Sequence, residues 1–161
     1  MNTTPTIFIT QDNDYILELS KHKSIFSPDR SICNITFKNI IGTKILSLNI
    51  PDITITNIID NIFAYNEFGG NIICYMNATN ADNSTLNSYY IGFSTEYDYD
   101  NLGIKIPNTK DIVTIYSYKD EIMIKIISFN VSDSLETLCN LLFDTFISDM
   151  DSDIKRYLFG I

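Results

Sequence analysis

Apolar and polar residues alternate in short runs along the N-terminal part of the chain. Alternation of this kind is typical of β-strands that bury one face. The junctions QDND and IIGT have the composition of hairpin turns. The segment KHKSIFSPDR is predicted to be a longer loop, because Pro28 cannot donate to a sheet ladder. The pattern predicts four strands, at residues 6–10, 14–20, 31–39 and 43–49.

After Pro51 the apolar spacing changes to that of a helix that buries one face. The residues that follow this spacing are Ile55, Ile58, Ile59, Ile62 and Phe63. We therefore predict a central helix over about residues 54–66, ended by Gly69 and Gly70. Because β-branched residues are weak helix formers, a strand through Ile53 and Ile55 is the alternative for the start of this segment.

The segment SDSLETLCNLLFDTFISD has the firmest helical pattern and predicts a C-terminal helix over about residues 134–148. Asp133 is placed to cap its N-terminus, with Glu136 three residues further on. The predicted buried stripe consists of Leu135, Leu138, Cys139, Leu142, Phe143 and Phe146. A further short turn is predicted at residues 157–159.

Strand patterns return between the two helices, at residues 71–77, 89–98, 102–106, 112–118 and 122–129. The last two strands are joined by the turn YKDE, and the segment NATNADNSTLN is predicted to be a loop. Short turns between neighbouring strands favour antiparallel pairing. The predicted fold is therefore α+β, a mostly antiparallel sheet of about eight or nine short strands with two helices on one face. The length predicts a single domain over residues 1–161.

The net charge of −9 is unevenly distributed along the chain. No Lys or Arg lies between Lys44 and Lys105, a span that contains seven carboxylates. Because affinity for nucleic acid depends on clustered Lys and Arg, we expect no direct binding to nucleic acid. The sequence shows neither a signal peptide nor an apolar run long enough to cross a membrane. We therefore expect a cytoplasmic protein, in a bacterial cell or an infected host cell, with no membrane partner.

Metal binding and catalysis find little support in the sequence. The residues that could in principle bind zinc are Cys33, Cys74, Cys139 and His22. The cysteines lie in phase with apolar residues, so we expect them in the core, and we expect the lone histidine at the surface. Loops that begin at Asp98 and Asp149 match only part of the EF-hand pattern. We therefore predict no metal and no cofactor.

The sequence contains no Gly-rich phosphate loop, no H-E-x-x-H pattern and no identifiable Ser or Cys partner for its one histidine. A carboxylate pair could act in glycoside hydrolysis, but any acidic protein contains many such pairs. We therefore expect no enzymatic activity. A carboxylate-dependent hydrolase is the third of the functions considered.

The stretch STEYDYDN places three carboxylates at alternate positions. On a strand, Glu96, Asp98 and Asp100 share one face, whereas Tyr97 and Tyr99 point to the other. The carboxylates offer acceptors to Lys and Arg, and tyrosine is enriched in binding surfaces. We therefore predict that these five residues bind a partner. The alternative is a solvated edge strand whose charges prevent aggregation between sheets.

The size, the acidity and the lack of catalytic motifs are similar to those of immunity proteins paired with nuclease-type toxins. They are also similar to those of phage or viral inhibitors of host defence proteins. Such a protein is non-catalytic and neutralises a basic protein partner by covering its active surface. An acidic surface suits this task because it accelerates encounter with a basic site and competes there with a polyanion. The alternative is a viral or bacterial accessory protein whose sheet mediates assembly.

Overall fold

The computed structural model describes residues 5–23, 31–81, 87–131 and 134–147 of the chain. Within these residues, nine strands pair antiparallel and two helices accompany them, so the predicted α+β class is confirmed. The elements are β1 (Thr6–Ile9), β2 (Tyr15–Lys23), β3 (Ser31–Asn39), β4 (Lys44–Ile50), α1 (Asp52–Phe68), β5 (Ile72–Met76), β6 (Thr79–Asn80), β7 (Ser88–Tyr99), β8 (Lys105–Lys119), β9 (Ile122–Asn130) and α2 (Leu135–Phe146).

The strands divide between two sheets. Sheet A has five strands in the order β1-β2-β3-β4-β6, and sheet B has four in the order β5-β7-β8-β9. The sequence predicted one sheet, because alternation shows which residues share a face but not which strands are neighbours. The two sheets meet where the turn after β1 reaches the end of β9. There the N–H of Gln11 donates to the carbonyl oxygen of Asn130 at 3.3 Å.

In sheet A, β2 extends further than its sequence suggested. Residues 21–23 were placed in the predicted loop KHKSIFSPDR, but they continue the ladder with β3 as far as the pair Lys23 and Ser31. The ammonium group of Lys21 donates to the carbonyl oxygen of Phe146 at 3.2 Å. The charged side chain of this strand residue therefore has a hydrogen-bond acceptor at the end of α2. The rest of the predicted loop, with Pro28, lies outside the described residues.

The short strand β6 was also missed. Its two residues, Thr79 and Asn80, pair with Asn49 and Leu48 of β4, inside the segment predicted to be a loop. So short a strand has no alternation to recognise, and its pairing depends on the free edge of β4. Residues 82–86 of the same segment lie outside the described part of the chain.

The helix α1 starts directly after Pro51, at Asp52, so the alternative of a strand at this point is wrong. It ends at Phe68 and is followed by Gly69, whose φ of 68° disfavours a side chain. The N–H of Gly69 donates to the carbonyl oxygen of Tyr65 at 2.8 Å. Phe63, predicted to be part of the buried stripe, is 57% exposed, whereas Tyr65 is buried.

The helix α2 confirms the predicted C-terminal helix and most of its buried stripe. The buried residues are Leu135, Leu138, Cys139, Leu142 and Phe146. Phe143 packs against the core but is only partly buried. The residue before the first helical turn is Ser134, whose side chain makes no capping hydrogen bond. The predicted cap, Asp133, and the short turn at residues 157–159 lie outside the described residues.

Buried residues from both sheets and both helices form one hydrophobic cluster. The helices contact each other, α1 also contacts β3, β5 and β7, and α2 contacts β1 and β2. A cavity of about 20 Å³ inside the cluster is lined by apolar residues such as Phe37, Met76 and Leu142. This volume is close to that of a single water probe. The cavity is therefore too small to hold a substrate.

Replacing Leu142 by Ala is expected to lower the free energy of unfolding by about 2 to 5 kcal/mol. Leu142 is 3% exposed and lines the cavity, so the substitution removes buried methyl groups and enlarges an existing void. Urea denaturation followed by circular dichroism measures the loss. The matched control is Leu141→Ala, the same change at a partly buried neighbour, for which a clearly smaller loss is expected. Equal losses would show that Leu142 is not a core residue.

Candidate functional site

The outer part of the β7–β8 hairpin extends past the strands that flank it. β5 pairs with β7 only as far as Phe93, and β9 pairs with β8 only from Ile112 onwards. Beyond these limits β7 and β8 pair with each other, and no other described strand joins them. We name residues 94–111 the hairpin arm. It contains all five residues that the sequence predicted to bind a partner.

Three side chains connect the base of the hairpin arm to α1. The hydroxyl of Tyr65 donates to Oδ1 of Asp111 at 2.7 Å and also hydrogen-bonds to the hydroxyl of Thr95. Oγ1 of Thr95 also lies 3.3 Å from the same carboxylate oxygen. Tyr65 is 4% exposed, and burial raises its pKa to about 12, with the carboxylate of Asp111 adding to the effect. Sequence reasoning missed this cluster because its members come from three separate elements.

A tight turn closes the hairpin arm at residues 100–104. Oδ1 of Asp100 accepts hydrogen bonds from the backbone N–H groups of Leu102 and Ile104, at 2.8 and 2.9 Å. Gly103 has a φ of 79°, which residues with a side chain rarely adopt. The chain therefore reverses where a strand was predicted at residues 102–106. The predicted strand 112–118 is confirmed as part of the longer strand β8, which begins at Lys105, whereas residues 102–104 of the other predicted strand belong to the turn.

The three carboxylates of the arm have different surroundings. Glu96 is exposed and lies directly opposite Lys110 in the register of β7 and β8. Asp98 is half-buried. Asp100 is exposed, but its side chain stabilises the turn. The row predicted from the sequence is therefore not a uniform anionic strip, and Glu96 is its most accessible strand position.

Exposed aromatic and aliphatic side chains gather towards the tip of the hairpin arm. Tyr97 is 39% exposed, and Nζ of Lys105 lies 4.1 Å from the centroid of its ring, within range of a cation–π contact. Tyr99 is 59% exposed. In the turn, Leu102 is 84% and Ile104 60% exposed. Sequence reasoning identified the two tyrosines but assigned the aliphatic residues to a strand, so it missed the apolar tip.

The pairing inside the arm is irregular between Tyr97 and Tyr99. Tyr97 pairs with Thr109 and Tyr99 with Lys105, so β8 advances four positions while β7 advances two. The longer stretch includes Pro107, which has no N–H to donate. A bulge with a proline increases the local twist and makes an edge a poor template for another strand. Protection against aggregation is therefore already built into the backbone of the arm.

Among the described residues, the other candidates show no arrangement that suggests chemistry, and the partial EF-hand match that begins at Asp149 lies outside these residues. Cys33 and Cys139 are buried as predicted, while Cys74 is half-buried. Burial raises the pKa of the Cys139 thiol to about 11, so this group stays protonated near neutral pH. His22 is half-buried rather than fully solvated, and its Nε2 lies 3.1 Å from Oγ of Ser20. Within the described residues, no three His, Cys, Asp or Glu side chains are grouped to hold a metal ion.

Comparison with known proteins identifies no relative. No protein-family model matches the chain, and no curated protein or solved structure is significantly similar to it. Among the described residues, neither helix has the length and apolar character needed to cross a membrane. An assignment of function therefore depends on the geometry of the hairpin arm and on the distribution of charge.

Replacing Tyr65 by Phe is expected to lower the free energy of unfolding by about 1.5 to 3 kcal/mol, because a hydrogen bond to a carboxylate is lost. Folding raises the pKa of Tyr65 from 10.0 to about 12. The stabilisation by its protonated hydroxyl is therefore complete below pH 10 and is lost as the pH rises through 12.

Denaturant titrations of the wild type and of Tyr65→Phe at a series of pH values measure this contribution. The difference between the two proteins isolates Tyr65 from the other tyrosines. We expect the difference to be constant below pH 10 and to shrink as the pH approaches 12. A difference that does not change over this range would contradict the role assigned to the hydroxyl.

Proposed function

We propose that this chain is a non-catalytic binding protein that neutralises a basic partner protein by inserting the hairpin arm into a cleft of that partner. The observation that carries the proposal is the arm itself: a two-stranded projection, anchored at its base, with an exposed aromatic and aliphatic tip. A convex projection fits a concave surface, as a long binding loop does when it enters a concave epitope. The active sites of enzymes are typically clefts or cavities.

The composition of the tip supports a contact surface. Tyr97, Tyr99, Leu102 and Ile104 expose between 39% and 84% of their surface within a short stretch of chain. Aromatic anchors dominate binding energy at interfaces when a partner pocket excludes water from them. The turn hydrogen bonds of Asp100 and the cluster around Tyr65 hold the arm in one shape before binding. A rigid arm loses less conformational entropy on association than a flexible loop would.

The charge of the chain supports a basic partner. The arm alone has a mixed charge, because Lys105 and Lys110 lie among its four carboxylates. The whole chain nevertheless has a net charge of −9, with no cation between Lys44 and Lys105. The field of the whole molecule then steers a cationic partner, while the tip provides the contacts that determine how slowly the complex dissociates.

The partner class that fits best is an enzyme that acts on nucleic acid. Such an enzyme uses clustered Lys and Arg to bind phosphates, so its active-site cleft is both basic and concave. The proposed role is therefore that of an immunity protein for a nuclease-type toxin, or of a phage or viral inhibitor of a host defence protein. Both act in the cytoplasm, and both work by blocking the cleft without catalysis.

The alternative is that the carboxylates of the arm serve only to protect an edge strand from aggregation. The arm does not need them for this purpose. The bulge opposite Tyr97 and Tyr99, with Pro107, already protects the arm against strand addition. Glu96 and the tip residues are then available for another purpose. A role in assembly is the second candidate function, and it is favoured by a different surface, the uncovered edge of β9.

The charge of the arm is tested with Glu96→Gln/Asp98→Asn. The tagged wild-type chain is first used to capture its partner in the native host, and the partner is identified and purified. The double variant is then expected to bind this partner more weakly than the wild type, and its affinity is expected to depend less on salt. The reason is that attraction between exposed charges is screened over about 8 Å at physiological ionic strength.

The matched control is Glu67→Gln/Asp120→Asn, which makes the same chemical changes at two exposed acids outside the arm. It removes the same charge, so a comparable loss of affinity would show that only net charge matters and that the arm is not the interface. An acidic captured partner would contradict the proposed partner class.

The tip is tested separately with Tyr99→Ala. Because this side chain is 59% exposed, the substitution is expected to leave the free energy of unfolding nearly unchanged. Binding to the same partner is expected to weaken by more than about 1 kcal/mol, as for an aromatic anchor at an interface. Tyr75→Ala is the control, since Tyr75 is 55% exposed and lies on β5. Isothermal titration of both variants gives the comparison, and equal affinities would exclude the tip from the interface.

A further inference from the structure

Within the described part of the chain, the strand β9 forms an uncovered edge of sheet B. It pairs with β8 on one side, and no described strand pairs with its other side. Only its C-terminal end meets sheet A among the described contacts: the ring of Phe129 lies 6.2 Å from that of Tyr15 in β2, and the carbonyl oxygen of Asn130 accepts from the N–H of Gln11. Between the hairpin turn and the irregularity at Ile126, the backbone of residues 122–125 therefore has hydrogen-bonding groups that no described strand satisfies. Soluble proteins usually protect such an edge with charges, a proline, a bulge or a covering element.

The edge is apolar where it is uncovered. Ile122, Met123 and Ile124 are 60%, 42% and 56% exposed. Tyr118, which lies opposite Met123 on β8, is 38% exposed. Lys125 is the single charged residue of β9. Three consecutive exposed apolar residues with one charge are an edge that favours pairing with another strand.

The hairpin turn determines which backbone groups point outward. Asp120 and Glu121 both have positive φ values, 52° and 65°, which is typical of a two-residue turn between antiparallel strands. The flanking pair is Lys119 and Ile122, and in such a hairpin this pair exchanges both of its hydrogen bonds. Hydrogen bonding alternates along the strand, so Ile122 and Ile124 bond towards β8. The N–H and C=O groups of Met123 and Lys125 point outward.

The residues around this edge read Glu-Ile-Met-Ile-Lys, from Glu121 to Lys125. In an antiparallel pairing of this segment with itself, a two-fold axis at Met123 matches unlike charges. Glu121 then lies opposite Lys125 of the partner subunit, and Lys125 lies opposite Glu121 of the partner subunit. A two-fold axis at Ile124 would instead place Lys125 opposite an apolar residue. The charges therefore select a single register, centred on Met123.

We propose that β9 is a homodimer interface, at which a second copy of this chain adds its own β9 in antiparallel register around Met123. The pairing joins two four-stranded sheets into one continuous eight-stranded sheet. Ile122 and Ile124 of both copies pack together on one face, and Met123 packs beside Tyr118 on the other. A two-fold contact of this kind closes on itself and leaves no new edge, which prevents further growth.

The dimer leaves the hairpin arms accessible. The turn of the arm, at residues 100–104, and the turn at Asp120 and Glu121 lie at opposite ends of β8. Pairing through β9 thus places the new contact away from each arm. The homodimer does not depend on the proposed function, but a dimer would present two arms.

Analytical ultracentrifugation of the full chain, from micromolar to millimolar concentration, tests the homodimer. The wild type is expected to sediment as a dimer. Glu121→Lys and Lys125→Glu each create like-charge pairs at two symmetric positions, and each is expected to raise the dimer dissociation constant roughly tenfold or more. The double variant Glu121→Lys/Lys125→Glu restores unlike pairs and is expected to recover the affinity of the wild type. This recovery is specific to the register centred on Met123.

Amide hydrogen exchange at high and low protein concentration gives an independent measurement. The amides of Met123 and Lys125 are expected to be protected only when the dimer forms, whereas those of Ile122 and Ile124 are protected at both concentrations by β8. A wild type that stays monomeric at millimolar concentration overturns the proposal. So does a dimer that neither single charge reversal weakens, or one whose amide protection at Met123 is independent of concentration.

Discussion

The apolar inner faces of the two antiparallel sheets must be shielded from water. The two helices provide this shielding by packing against the sheets, and the rest of the structure depends on that packing. α1 and α2 contact each other and pack against strands of both sheets, so a single hydrophobic cluster unites elements from all parts of the described chain. A cavity of about 20 Å³ within the cluster has no room for a substrate. In the described part of the chain, the features that suggest binding lie on the surface, where coverage by the helices and by neighbouring strands ends.

Two such places stand out, and both belong to the long strand β8. At one end, β7 and β8 leave the sheet as the hairpin arm, and the contact of Tyr65 with Thr95 and Asp111 ties the base of this projection to the core. At the other end, β8 and β9 close in a two-residue turn beside an uncovered apolar edge. The arm protects its own edge with a bulge and Pro107, whereas in β9 the pairing is irregular only at Ile126, and the segment from Ile122 to Lys125 before it has Lys125 as its single charge. This contrast favours different partners for the two surfaces.

The sequence predictions were most accurate for features that can be recognised from the spacing of residues close together in the chain. The helix α2 and most of its buried stripe, the burial of Cys33 and Cys139, and the turn before Ile122 were predicted from residue spacing within short segments, and they are confirmed. The start of the strand expected at residues 102–106 was wrong, because Asp100 and Gly103 stabilise a turn as far as Ile104, through hydrogen bonds that alternation does not reveal. The five predicted binding residues lie together on the arm, but sequence alternation could not show that this segment projects.

By itself, the sequence determined the α+β class, the positions of both helices and the antiparallel character of the strands. These properties follow from the spacing of apolar residues and from turn composition, which act over short distances along the chain. Only the tertiary structure decided that the strands form two sheets, that Tyr65 meets Asp111, and that β9 is left at an edge. The physical reason is that a strand offers equivalent hydrogen bonds to any neighbour in suitable register. Its actual neighbour is selected by packing with residues far away in the chain.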